Sequence, residues 1–156
     1  MRRYLLPGCF VLVLVLGLHT MTIASGVFGS LAVEPVVVVT SSGARHEFSA
    51  YVADTPEARS RGLMYVTRLE SDRGMLFDFR MTGPVYMWMK NTPLSLDMLF
   101  IDEQGVVTRI EPRTRPFSTA LITSGMDVRA VLEVNGGTAE KLGIAAGDRV
   151  VHRLFE

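Results

Sequence analysis

The residue most in need of an explanation is an acid in the wrong surroundings. Ser95 to Ile101 is the most hydrophobic run outside the N-terminal region, and Asp97 interrupts it. A carboxylate there costs several kcal/mol unless it is paired or hydrogen-bonded, so Asp97 must have a partner. The polar turn Lys90-Asn91-Thr92-Pro93 lies just upstream, between two apolar stretches. Lys90, Arg61 and the amides of that turn are the nearest candidates by sequence or pattern. One chemistry is a small pocket for a polar or anionic ligand, with Lys90, Asn91 and Thr92 around it, Asp97 orienting the donors, and Arg61 and Glu133 as secondary members. The plainer alternative is an Asp97 that only accepts amide hydrogen bonds and pins a loop, as acids commonly do. A catalytic version of the first is a small hydrolase or lyase with Asp97 as base and Lys90 as electrostatic stabiliser. An open cleft would favour it, and a buried Asp97 bonded only to backbone amides would count against it.

Other side chains suggest weaker chemistry. Seven of the nine methionines lie beyond the N-terminal region, and in a strand Met87 and Met89 share one face with Trp88 opposite. Thioethers with an imidazole suit Cu(I), which would make a copper-handling protein, but methionine is also an adaptable core filler. His46 and His152, the imidazoles available, are distant in sequence. Arg109, Arg113 and Arg115 fall at even spacing, so an extended chain would show them on one side as a carboxylate or phosphate grip or a solvated edge. Gly-x-Ser-x-Gly, His-Glu-x-x-His and phosphate-loop patterns are all missing. No catalytic residue, metal site or cofactor is therefore expected.

The elements that must position these residues read as mainly β. Val36 to Val52 is a hairpin turning at Ser41-Ser42-Gly43, its second half alternating apolar and polar. Thr55 caps a short helix with Pro56 at its first position, running to about Met64. Met75–Phe77, Pro84–Met89 and Ser95–Ile101 are strands. Asp102-Glu103-Gln104-Gly105 is a tight turn into Val106–Glu111. Residues 112–125 are expected to be a long loop, and 128–134 a strand. Thr138 caps a second short helix that Gly143 ends, and 149–154 forms a last strand. The expected fold is a compact single-domain α+β arrangement dominated by β: a mixed or antiparallel sheet, or partly closed barrel, with two short helices.

Several of these segments together resemble a known family. Arg61-Gly62-Leu63-Met64, Gly74-Met75-Leu76-Phe77, Trp88-Met89-Lys90-Asn91-Thr92 with Leu96-Asp97 and Phe100-Ile101, and Val131-Leu132-Glu133 with Gly147-Asp148 are similar to the family called domain of unknown function 192. The resemblance spans roughly residues 36–154. It implies a compact β-rich domain, often exported, with no established activity, and it marks Lys90, Asn91, Thr92 and Asp97 as recurring polar positions.

Compartment comes from the N-terminus. Arg2-Arg3, the apolar run Cys9–Leu18 and the small-residue motif Ser30-Leu31-Ala32 have the layout of a secretory signal, dividing the chain into a leader (1–32) and a β-rich domain (33–156). An uncleaved anchor is the alternative. Either way the domain is expected outside the cytoplasm, periplasmic or secreted, touching a membrane only through its leader. Cys9 precedes the apolar run instead of following it, which does not fit a lipoprotein box, and it is the only cysteine. The domain then lacks thiol chemistry and disulfides. Of 16 basic and 16 acidic residues, the leader takes Arg2 and Arg3, leaving 14 against 16. That balance argues against a nucleic-acid binder. The resulting expectation is a non-enzymatic binding module for a small polar or anionic ligand, or for a partner protein.

Overall fold

The computed structural model describes residues 28, 29 and 31–156. The leader's basic start, its apolar run and Ser30 of the small-residue motif lie outside the described residues. The β-branched Val33–Val39 (β1) and the alternating Arg45–Ala53 (β2) form the expected antiparallel hairpin. Thr55 caps Pro56–Arg61 (α1) by accepting the Ala58 amide at 3.1 Å, and Gly62 ends that helix two residues earlier than its pattern suggested. Gly62 holds φ +49, and a Cβ there would stand 3.1 Å from the Phe77 ring. Few residue types suit that position.

Four further strands follow: Arg73–Met87 (β3), Leu96–Ile101 (β4), Val107–Glu111 (β5) and Ile122–Asn135 (β6). Two sequence expectations change here. Met75–Phe77 and Pro84–Met87 belong to one long strand, continuous through an irregular stretch between Asp78 and Gly83, while Trp88 and Met89, expected in strand, lie beyond its end. The expected loop 112–125 gives way at Ile122, where β6 starts and pairs with Met87. Residues lacking periodicity thus acquire strand geometry from a partner across the sheet. Thr138–Leu142 (α2) and Arg149–Val151 (β7) complete the chain, with a 3-10 turn at Arg153–Phe155 where strand was expected.

The seven strands form a single sheet in the order β5-β4-β6-β3-β2-β1-β7, antiparallel except for the β2–β3 pair. The sheet curls into a partly closed barrel. Its two edge strands meet at a bridge between Val106 and Arg149, supported by the Val107 amide donating to the Asp148 carbonyl at 2.8 Å. Asp148 also accepts the Ser41 and Ala145 amides at 2.8 and 2.7 Å, tying the first hairpin to the last strand.

Both faces of the central strands are buried, which explains the unbroken apolar run of β4. Leu76, Leu99, Ile101, Leu132 and Val134 face one core. Met75, Phe77, Met98, Phe100 and Val131 face the other. Gly74 sits where β3 passes closest to β6, and a Cβ there would stand 2.7 Å from the Glu133 carbonyl oxygen. Gly74→Ala is expected to cost about 1–3 kcal/mol through backbone displacement, read as a lower urea midpoint. An unchanged midpoint would mean the two strands separate freely at this point.

Candidate functional site

Alternation along β4 turns Asp97 toward the first core, where it is fully buried. Its Oδ1 accepts the amides of Arg113 and Gly137, and its Oδ2 that of Ala139, each at 2.8 Å. Gly137 occupies the cap position of α2 and has no side chain to offer. Asp97 therefore caps this helix from a distant strand. Thr138, expected as the cap, is instead the first helical residue. Lys90 is not a partner of Asp97, which lines neither cavity described below. Amide-only bonding without a cleft counts against Asp97 as a general base.

The Lys90–Thr92 turn uses its polar atoms internally. Lys90 is exposed, its Nζ 5.3 Å from the Trp88 ring centre. Asn91 takes a left-handed φ of +56; its carbonyl accepts the Tyr65 amide at 2.8 Å, and its side-chain amide meets Met64 Sδ at 3.9 Å. Thr92 is buried and donates its hydroxyl to the Lys90 carbonyl at 3.2 Å. The turn thereby fastens the segment after α1 to the end of β3.

Glu133 presents the larger anomaly. It lies on β6 between Met75 of β3 and Met98 of β4, on the face of the second core. Only 3 % of it is exposed, and its carboxyl makes no hydrogen bond or ion pair with a described residue. Burial alone pushes its pKa up to about 8, so it is a neutral acid at pH 7. The signal in the sequence was of the same kind as for Asp97, an acid inside the apolar run Val131–Val134.

A cavity of about 240 Å³ opens onto Glu133. One side is the end of α1 and the turn after it, with Arg59, Ser60, Arg61, Gly62, Leu63 and Met64. The other is β3 and the turn beyond it: Phe77, Phe79, Tyr86 and Met87, then Trp88 and Thr92. Arg59 is held in place, donating to the Asp78 carbonyl at 2.7 Å with its guanidinium 5.7 Å from the Phe79 ring centre. Arg61 lies 6.0 Å from the Tyr65 ring centre and is exposed. Tyr86 and Trp88 are 61 % and 43 % exposed at the mouth. Thus Arg61, Thr92 and Glu133 of the expected site share one cavity, Lys90 and Asn91 stand beside it, and Asp97 is on the opposite face of the sheet. The aromatic wall and Arg59 were missed, because segments that share no periodicity bring them together.

A second cavity of about 500 Å³ is lined by Phe28, Leu31 and Ala32 together with residues of β2 and α1. Two of its three acids, Glu34 and Asp54, are paired with Arg153 and Arg80 at 2.7 and 2.6 Å, and the third, Glu57, is exposed. The copper arrangement does not assemble. Met87 and Met89 pack in the second core, His46 lies on the strand whose Phe48 and Ala50 face the first, and His152 bonds Glu34 at 3.0 Å. Among the described residues no three His, Cys, Asp or Glu side chains cluster as metal ligands do. The three even-spaced arginines also part company. Arg109 pairs with Glu111, whereas Arg113 adopts φ +47 and pairs with Glu140 at 2.6 Å.

Comparison with known proteins adds a family and two structures. The family model DUF192, described as "Uncharacterized ACR", matches residues 37–152. A candidate transcription regulator from Sinorhizobium meliloti is 47 % identical, with TM-score 0.77 over 78 % of this chain and 95 % of that one. A protein of unknown function from Novosphingobium aromaticivorans is 35 % identical, with TM-score 0.76 over 78 % and 86 %. No curated protein matches.

Proposed function

The chain belongs to the DUF192 family, and from that premise, which supplies a fold but no activity, we propose a non-enzymatic binding domain that holds a small polar or anionic ligand in the cavity over Glu133. The carrying observation is Glu133 itself. A buried acid with no hydrogen-bonding partner among the described residues is costly. A hydrogen-bonding ligand would repay part of that cost, and the concave, largely apolar wall with a few convergent polar groups is the usual form of a ligand site. Below the roughly 300 Å³ at which pockets for drug-sized molecules begin, this one suits a smaller compound.

The domain works outside the cytoplasm, carried there by its leader. Arg2-Arg3 and the apolar run Cys9–Leu18 support that placement. With 14 basic residues against 16 acidic ones beyond the leader, it lacks the positive charge on which nucleic-acid binding rests. That charge balance does not support, for this chain, the transcriptional role named for the Sinorhizobium protein.

Native mass spectrometry of the protein isolated from its own cell envelope tests both parts. The polypeptide mass is expected to lack the leader, and the folded protein to carry a small additional mass released on denaturation. Ser60→Trp, which fills the mouth from an exposed position, is expected to lose that mass while remaining folded. Equal retention by Ser60→Trp would overturn the cavity assignment. A full-length, cytosolic polypeptide would overturn the export reading.

A further inference from the structure

We propose that the ligand is a small carboxylate with an apolar, preferably aromatic, body, whose carboxylate accepts a hydrogen bond from the Glu133 carboxyl in the field of Arg59 and Arg61. This rests on the cavity being the ligand site and names what enters it. The cavity has two permanent cations, Arg59 and Arg61, and one acid that burial keeps uncharged, so its lining is net positive at neutral pH. An anion is attracted, and a cation would meet a net positive lining. A protonated carboxyl facing a carboxylate makes an O–H···O⁻ bond, among the strongest available to a side chain. The ligand's charge in turn favours the proton on Glu133, so the two reinforce each other. The remaining lining, including Leu63, Phe77, Phe79 and Trp88, offers apolar and π surface to the rest of the molecule.

The titratable and charged groups that line the cavity with Glu133 are Arg59 and Arg61 from α1 and Tyr86 from β3, and burial alone shifts Glu133; Met75 and Met98 flank it on its neighbouring strands. Ligand affinity should therefore follow Glu133. It is level while the free protein's carboxyl stays protonated and falls as pH rises through about 8. At pH 9 it should be roughly tenfold weaker than at pH 7.

The test is titration of the full domain with benzoate, benzylamine and benzyl alcohol at pH 7 and 9, followed by calorimetry and by the methyl NMR signals of Met64 and Met87. Benzoate is expected to bind, shift both methyls, and weaken about tenfold at the higher pH. Glu133→Gln, which keeps a neutral donor without a titrating proton, should bind benzoate equally at both values. Arg61→Ala should weaken benzoate and spare benzyl alcohol. Benzoate binding that ignores pH, or that leaves both methyls unmoved, overturns the proposal. Benzylamine binding in this cavity in place of benzoate overturns the carboxylate class while leaving the cavity as a ligand site. Failure of all three probes, together with a ligand-free native mass, overturns both.

Discussion

Asp97→Ala is expected to lower the stability of the folded domain by roughly 3–5 kcal/mol, read from urea unfolding followed by circular dichroism. Three amides from residues 113, 137 and 139 converge on this one carboxylate. Removing it leaves three donors in and around the first core without an acceptor, and α2 without a cap. α2 is only five residues long and cannot hold its own conformation without such support. Domains of this size have about 5–15 kcal/mol in total, so the variant should be near the limit of folding at 37 °C. Asp97→Asn keeps one acceptor oxygen but turns an NH₂ group toward an amide donor, and should lie between wild type and Ala. A loss below about 1 kcal/mol for Asp97→Ala would mean that water satisfies the amides, and would return Asp97 to the list of residues free for chemistry.

Glu133→Met is expected to act in the opposite direction and only above a certain pH. In the wild type the carboxyl titrates near 4.5 in the unfolded chain and near 8 in the folded one. Below 4.5 it is protonated in both states and contributes no slope. Between 4.5 and 8 the unfolded chain ionises while the folded domain keeps its proton, so stability falls as pH rises. The fall ends above 8, after a loss of about 5 kcal/mol. Glu34 and Asp78, whose pKa values are lowered in the folded state, act below the ordinary carboxylate range and do not overlap this window. The variant should lack this fall, and be more stable than wild type at pH 9 by a few kcal/mol, since methionine matches its neighbours Met75 and Met98. Parallel pH profiles for the two proteins would show that Glu133 titrates normally and would remove the basis for an acid in the cavity. Retaining such an acid at a cost in stability is the pattern expected of a functional residue, and fits the ligand proposed for it.

What the sequence determined by itself is local. The Val36–Val52 hairpin, the Thr55–Pro56 helix start and the 102–105 turn each depend on a few adjacent residues, and each appears where its pattern places it. Asp97 was legible for the same reason, because it breaks an apolar run, whereas the sequence marks Glu133 only as a secondary member of a pocket. Tertiary structure decided what those acids meet. Asp97 caps a helix far along the chain, where the residue pattern pointed to Thr138. Glu133 looks into a cavity whose walls come from α1, β3 and the 88–92 turn. Strand β3 is continuous, and β6 begins at Ile122, because each supplies the other's hydrogen bonds across the sheet. Partners of this kind are set by register and curl, which depend on the pairing of segments remote in sequence and leave no trace in the spacing of either segment.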